Sequence, residues 1–155
     1  MASTATNKQP LLIDRVLHYV VNTDTAKNDG MDIVGTNSAL LLVDGTTQDG
    51  AILEDIYIIS RSTAAYKVNL YVSSASDYLR PQQAAFVGSV TSGTNKGDIL
   101  RWEEMPRSLT PVPAVGTTPY NRAFYLPKGL ALWVARESDA DITDGPLIGT
   151  QGGWF

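Results

Sequence analysis

Cysteine is absent from this chain of 155 residues, and histidine occurs once, at His18. The first absence excludes disulfide scaffolds, thiolate zinc sites and thiol nucleophiles together. The second leaves a histidine-based triad or metal site dependent on one residue, inside a strand-like run and with no accompanying nucleophile elbow or paired-histidine motif. Charge is also sparse, at 18% of residues against a typical quarter, with a net charge of −4. That balance lacks the basic stripe of a sequence-independent nucleic-acid binder. No apolar run approaches the ~20 residues of a membrane helix. The opening residues have no apolar core of a secretion signal, so synthesis in a cytoplasm is expected.

What remains is strand grammar. Residues 1–10, up to Pro10, are small, polar and unpatterned, and read as a flexible arm. The run Leu11–Val21 alternates, with Ile13, Leu17, Tyr19 and Val21 on one face and Arg15 as the exception. A helix competes for this segment, but β-branched and aromatic content and the missing cap favour a strand. Ala39–Val43 is a short apolar run closed by Asp44-Gly45. Ala51–Ser60 and Tyr66–Ser73 form the clearest pair, and the second puts Tyr66, Val68, Leu70 and Val72 on one face. Residues 61–65 between them fit a five-residue hairpin loop. Weaker strands are expected at Ala85–Val90 and Asp98–Glu103, and 77–83 reads either as a loop or as a single helical turn.

The phrase Arg122–Glu137 places two strands around Pro127-Lys128-Gly129. Proline presets the first corner of a turn and Gly129 supplies positive φ, the grammar of a bulged hairpin. Pro106, Pro111, Pro113 and Pro119 exclude helix and central strand from the preceding stretch, which is expected to be exposed or engaged with a partner. About eight strands and no helix predict an all-β chain: an antiparallel β-sandwich, jelly-roll-like, with long loops and extended termini. The expected division is an arm over 1–10, a sandwich over 11–137 and a turn-forming tail over 138–155. That tail ends in Trp154-Phe155, two aromatics that need a pocket on this subunit or on a neighbour.

Three constellations invite chemistry. Glu103 and Glu104 beside Trp102 have glycosidase composition, yet adjacent strand residues point to opposite faces and cannot straddle one bond; Glu54 and Asp55 fail alike. Asp139, Asp141 and Asp144 space three carboxylates over one turn-prone loop, a weak calcium candidate without the distal glutamate of an EF-hand; Asp and Gly also build plain turns. Tyr57, Tyr71, Tyr78, Tyr120, Trp102, Trp133 and Trp154 could form a glycan platform, and alternating strand aromatics also make core or subunit interface, as Trp133 is expected to do. No cofactor is expected and no catalytic residue emerges. The interface candidates are Trp154, Phe155, Pro111, Pro113 and Tyr120.

The stretch Ala51–Ser73, with its strands Ile52-Leu-Glu-Asp-Ile-Tyr-Ile-Ile59 and Val68-Asn-Leu-Tyr-Val72, is joined by the later phrase Tyr125-Leu-Pro-Lys-Gly-Leu-Ala-Leu-Trp-Val134. Together these resemble the small β-sandwich virion proteins of tailed bacteriophages, cyanophages among them. The similarity covers about a quarter of the chain and is one of strand grammar, with no match for the proline-rich segment Pro106–Pro119. It implies a non-enzymatic structural protein that decorates or cements a capsid, or builds part of a tail or neck. It further implies a virion location, capsid or tail proteins as partners, and a symmetric homo-oligomer, often a trimer. The competing reading is a fibre or receptor-binding domain that recognises glycans with Tyr120 and Trp102.

Overall fold

The computed structural model describes residues 15–26, 39–45, 49–74, 85–101, 124–138 and 142–154. Nine strands run through them: β1 (Arg15–Asn22), β2 (Leu40–Asp44), β3 (Gly50–Ile59), β4 (Lys67–Ser74), β5 (Ala85–Thr91), β6 (Ile99–Arg101), β7 (Phe124–Pro127), β8 (Leu130–Arg136) and β9 (Leu147–Trp154). The first sheet has the order β1-β9-β3-β6, with β7 also paired to β3; the second has the order β2-β8-β4-β5. Every pairing is antiparallel. With β7 set aside as an extra strand, the chain crosses between the sheets at every step except β4 to β5. This is the double Greek key of a jelly roll, and the expected fold class stands.

Alternation builds the core. Leu53, Ile56 and Ile58 of β3 and Ile148 of β9 point inward from the first sheet. Val68, Leu70 and Val72 of β4 and Leu132 and Val134 of β8 meet them from the second. Each such side chain contributes about 1.5–3 kcal/mol on leaving water. β8 is buried on both faces: its other side carries Ala131, Trp133 and Ala135, which cluster with Tyr71. There Leu41, Trp133, Tyr71 and Phe86 stand in register across all four strands. Burial pushes the Tyr71 phenol above its usual range against a lowering hydrogen bond with Asn69.

Two expected hairpins are instead corners between sheets. β3 and β4 lie in different sheets, and so do β7 and β8. Both strands of each pair carry an apolar face that must reach the core, and the sandwich satisfies them from opposite sides. The hydrogen bonds at the corners follow suit. Gly129 N–H donates to Gly45 O, and Gly45 N–H to Leu130 O, so this turn is closed by the end of β2. Gly129 has φ of 85°, the positive value expected of it. At the other corner, Ser60 N–H donates to Asp98 O and Ser92 N–H to Tyr66 O, which ties the two crossing connections together.

The segment expected as a C-terminal tail is the largest difference. Residues 147–154 form β9, the strand between β1 and β3, and Trp154 is 3% exposed within this chain's own core. The glycines that made the segment read as turns have structural roles. Gly152 faces β3 at its bulge between Leu53 and Asp55, and a Cβ there would fall on the carbonyl oxygen of Ile52. A Cβ on Gly149 would meet the ring of Tyr57, which lies across β9. Thr150 Oγ1 donates to Asp55 O at 2.8 Å and so satisfies the bulged backbone. The expected arm over 1–10 lies outside the described residues.

Candidate functional site

Two places stand out. The first is a polar knot at one end of the sandwich. Asn22 at the end of β1 is followed by Asp24, whose N–H donates to Asn22 Oδ1 at 3.1 Å, while Asn22 Nδ2 donates to Asp24 Oδ2 at 2.8 Å. Arg61, just past β3, donates through Nη1 to Asn22 Oδ1 (2.9 Å), Asp24 Oδ1 (3.1 Å) and Gly145 O (3.2 Å), and through Nη2 to Thr143 O (3.3 Å). Gly145 N–H donates to Asp24 Oδ1 at 2.7 Å. Beneath this, Arg136 at the end of β8 is 1% exposed. It donates from Nε to Thr23 O at 2.8 Å and from Nη2 to Asp24 O at 2.9 Å. Its own N–H donates to Ala26 O at 2.8 Å, and Thr23 Oγ1 donates to Pro146 O at 2.7 Å. The knot thus fastens the second sheet to both β1 and β9 of the first.

Burial works to raise the Asp24 carboxyl, but the Asn22 hydrogen bond, the Gly145 N–H and the Arg61 guanidinium outweigh it and hold the carboxyl below 3.8. A carboxyl depressed on folding adds stability above its unfolded value, and that stability is lost as pH falls through the lower folded value. Asp24→Asn is therefore expected to flatten the acid limb of stability below about pH 4, measured by urea denaturation across that range. An unchanged limb would remove Asp24 from the acid response.

The knot also bears on the calcium candidate. Asp139 and Asp141 lie outside the described residues. Asp144 is in a loop whose Thr143 and Gly145 carbonyls, oxygens of the kind calcium draws on, already accept from Arg61. Among the described residues no three acids, histidines or cysteines gather in metal-binding geometry.

The second place is the edge of the first sheet. β1 exposes Val16 (78%), Tyr19 (47%) and Val20 (45%), while Leu17 is buried in the core. On the same outer face as Val16 and Val20, His18 Nε2 lies 2.9 Å from the Tyr57 hydroxyl, reached across Gly149. Further over, Arg101 pairs with Asp55. This edge escaped the sequence reading, which weighed only the face carrying Leu17 and Val21. The available signal was Val16 and Val20, apolar on the face opposite the core.

Of the aromatics considered for a glycan platform, Tyr71, Trp133 and Trp154 are buried and Tyr57 is half-buried. Tyr78, Trp102 and Tyr120 lie outside the described residues, as do Glu103, Glu104 and the interface candidates Pro111, Pro113 and Phe155. Trp154 belongs to this chain's own core. Among the described residues no helix is long and apolar enough to cross a membrane.

Fold and surface together define an all-β jelly-roll sandwich whose β1 edge exposes Val16, Tyr19 and Val20. No family model, curated protein or solved structure matches the chain.

Proposed function

We propose that the chain is a non-enzymatic structural protein of a tailed-phage particle, which decorates or cements the capsid through contacts between β-sandwiches. The observation that carries this reading is the β1 edge: three large apolar side chains, two of them flanking His18 on one face, stand in water along one strand, more than on the other edges described, where Leu41, Phe86, Ile99 and Leu100 are also exposed. The resemblance of Ala51–Ser73 and Tyr125–Glu137 to virion proteins supports it, and the jelly roll is a fold used by capsid proteins, though also by lectins and cupins. Homo-oligomerisation and capsid or tail partners belong to the same proposal, as does a virion location.

Removing the chain from the genome that encodes it tests the reading. Particles made without it are expected to lose resistance to heat or osmotic shock and to regain it when the purified protein is added. Particles indistinguishable from wild type, with no uptake of the protein, would overturn the proposal.

A further inference from the structure

We infer that β1 is a docking edge for a second copy of this chain, joined antiparallel about a two-fold axis that passes between the two copies of His18. The inference rests on the assembly reading and supplies it with a contact.

The argument starts from how the sheet edges are finished. Exposed strand edges invite further pairing, and proteins blunt them by shortness, bulges, proline or charge. Three of the edges among the described residues are treated so. β6 has three residues and ends in Arg101, with the four-residue β7 beside it on the same edge of β3. β2 has five residues, a register shift between Leu41 and Val43, and a terminal aspartate. β5 pairs with β4 through a shift at Leu70/Tyr71. β1 alone is long and plain: eight residues in unbroken register with β9, and no Lys, Arg, Asp or Glu from Val16 to Asn22. Every second residue of such a strand turns its N–H and C=O away from β9.

The choice of occupant follows from length and symmetry. The opposite edge of the same sheet offers only two short strands, β6 with three residues and β7 with four, neither long enough to match β1 head to tail. A second β1 matches it over seven of its eight residues, Arg15 to Val21. A two-fold axis perpendicular to the sheet keeps outer face against outer face, so residues of like parity oppose. Centred on His18, it sets Val16 against the partner's Val20 on both sides of the axis and Leu17 against the partner's Tyr19. Centred on Tyr19, it would set Val16 against the partner's Asn22, an apolar group against an amide. The His18 centre also keeps the two Arg15 side chains apart at opposite ends of the ribbon. The result doubles the first sheet, and its symmetry is two-fold, whereas the resemblance implies three-fold.

The absence of cysteine makes the test clean. In His18→Cys the two thiols face one another across the axis, and mild oxidation is expected to give a covalent dimer. Ile99→Cys, also at an exposed position but on the far edge, is expected to stay monomeric under the same conditions. Val16→Lys places a charge on an already exposed position, so the melting temperature should hold while dimer affinity, read by sedimentation velocity, falls about tenfold or more. A wild-type protein that stays monomeric to about 1 mM, a dimer untouched by Val16→Lys, or cross-linking at Ile99→Cys instead of His18→Cys would each overturn the inference. Uptake of a monomeric protein by particles lacking it would overturn the β1 dimer and leave the assembly role standing. A β1 dimer that no particle takes up would do the reverse.

Discussion

Arg136→Ala is expected to destabilise the fold by about 3–5 kcal/mol, the largest loss at any polar residue described. The guanidinium is buried at the end of β8, where it holds the Thr23 and Asp24 carbonyls at 2.8 and 2.9 Å. Alanine would remove a charge-assisted donor from each carbonyl, a bond of about 1.5–3 kcal/mol, leaving only Ala26 N–H on Thr23 O and Ile142 N–H on Asp24 O, and would open a cavity as well. The effect should spread beyond the site, because the segment 23–26 that Arg136 holds also accepts from Ile142 N–H and donates to Pro146 O. Arg136→Lys should recover only part of the loss, since one ammonium cannot reproduce the fork that spans two carbonyls. Urea denaturation measures both variants. A loss under about 1 kcal/mol for the alanine variant would show that the clamp contributes little.

Gly152→Ala is expected to cost about 3 kcal/mol or more, although it adds a single methyl group. The added carbon would fall on the backbone carbonyl of Ile52 and come within 2.9 Å of Leu53 Cα. Backbone in the middle of a sheet cannot swing aside as a side-chain tip can, and here β3 is already fixed by its bulge and by the Thr150 hydroxyl. Gly149→Ala makes the contrast: its clash is with the Tyr57 ring, whose free end can rotate at the expense of the His18 hydrogen bond. Gly152→Ala should therefore lower the melting temperature well below that of Gly149→Ala. Equal shifts would mean that β9 and β3 can separate at the bulge.

The strands themselves were legible because period-two alternation reports a half-buried strand directly. Tyr66–Ser73 and Ala51–Ser60 coincide with β4 and β3 to within a residue or so. Their partners were not legible. Short loops and turn residues look alike whether the chain returns along its own sheet or crosses to the facing one. The corner at Gly129 shows why: its deciding hydrogen bonds go to Gly45, more than eighty positions away in sequence. β9 was hidden for a different reason. Its Gly149, Gly152 and Gly153 mark a tail by composition, yet two of them are what the bulge of β3 and the ring of Tyr57 leave room for. Similarly, nothing in the sequence singles out Arg61 or Arg136, and only the fold brings the segments after β1 and before β9 within their reach.

The open edge of β1 was partly legible, since Val16, Val20 and Tyr19 stand in the sequence as apolar residues on both faces of one strand. What sequence could not convey is that β1 lies at the margin of its sheet, where those side chains meet water instead of a neighbour.

The most direct measurement of the assembly role is light scattering and cosedimentation of the purified protein, alone and with particles made without it. The expected result is a self-associated protein that saturates a fixed number of sites per particle. A protein that remains monomeric at high concentration and sediments with neither capsids nor tails would contradict it.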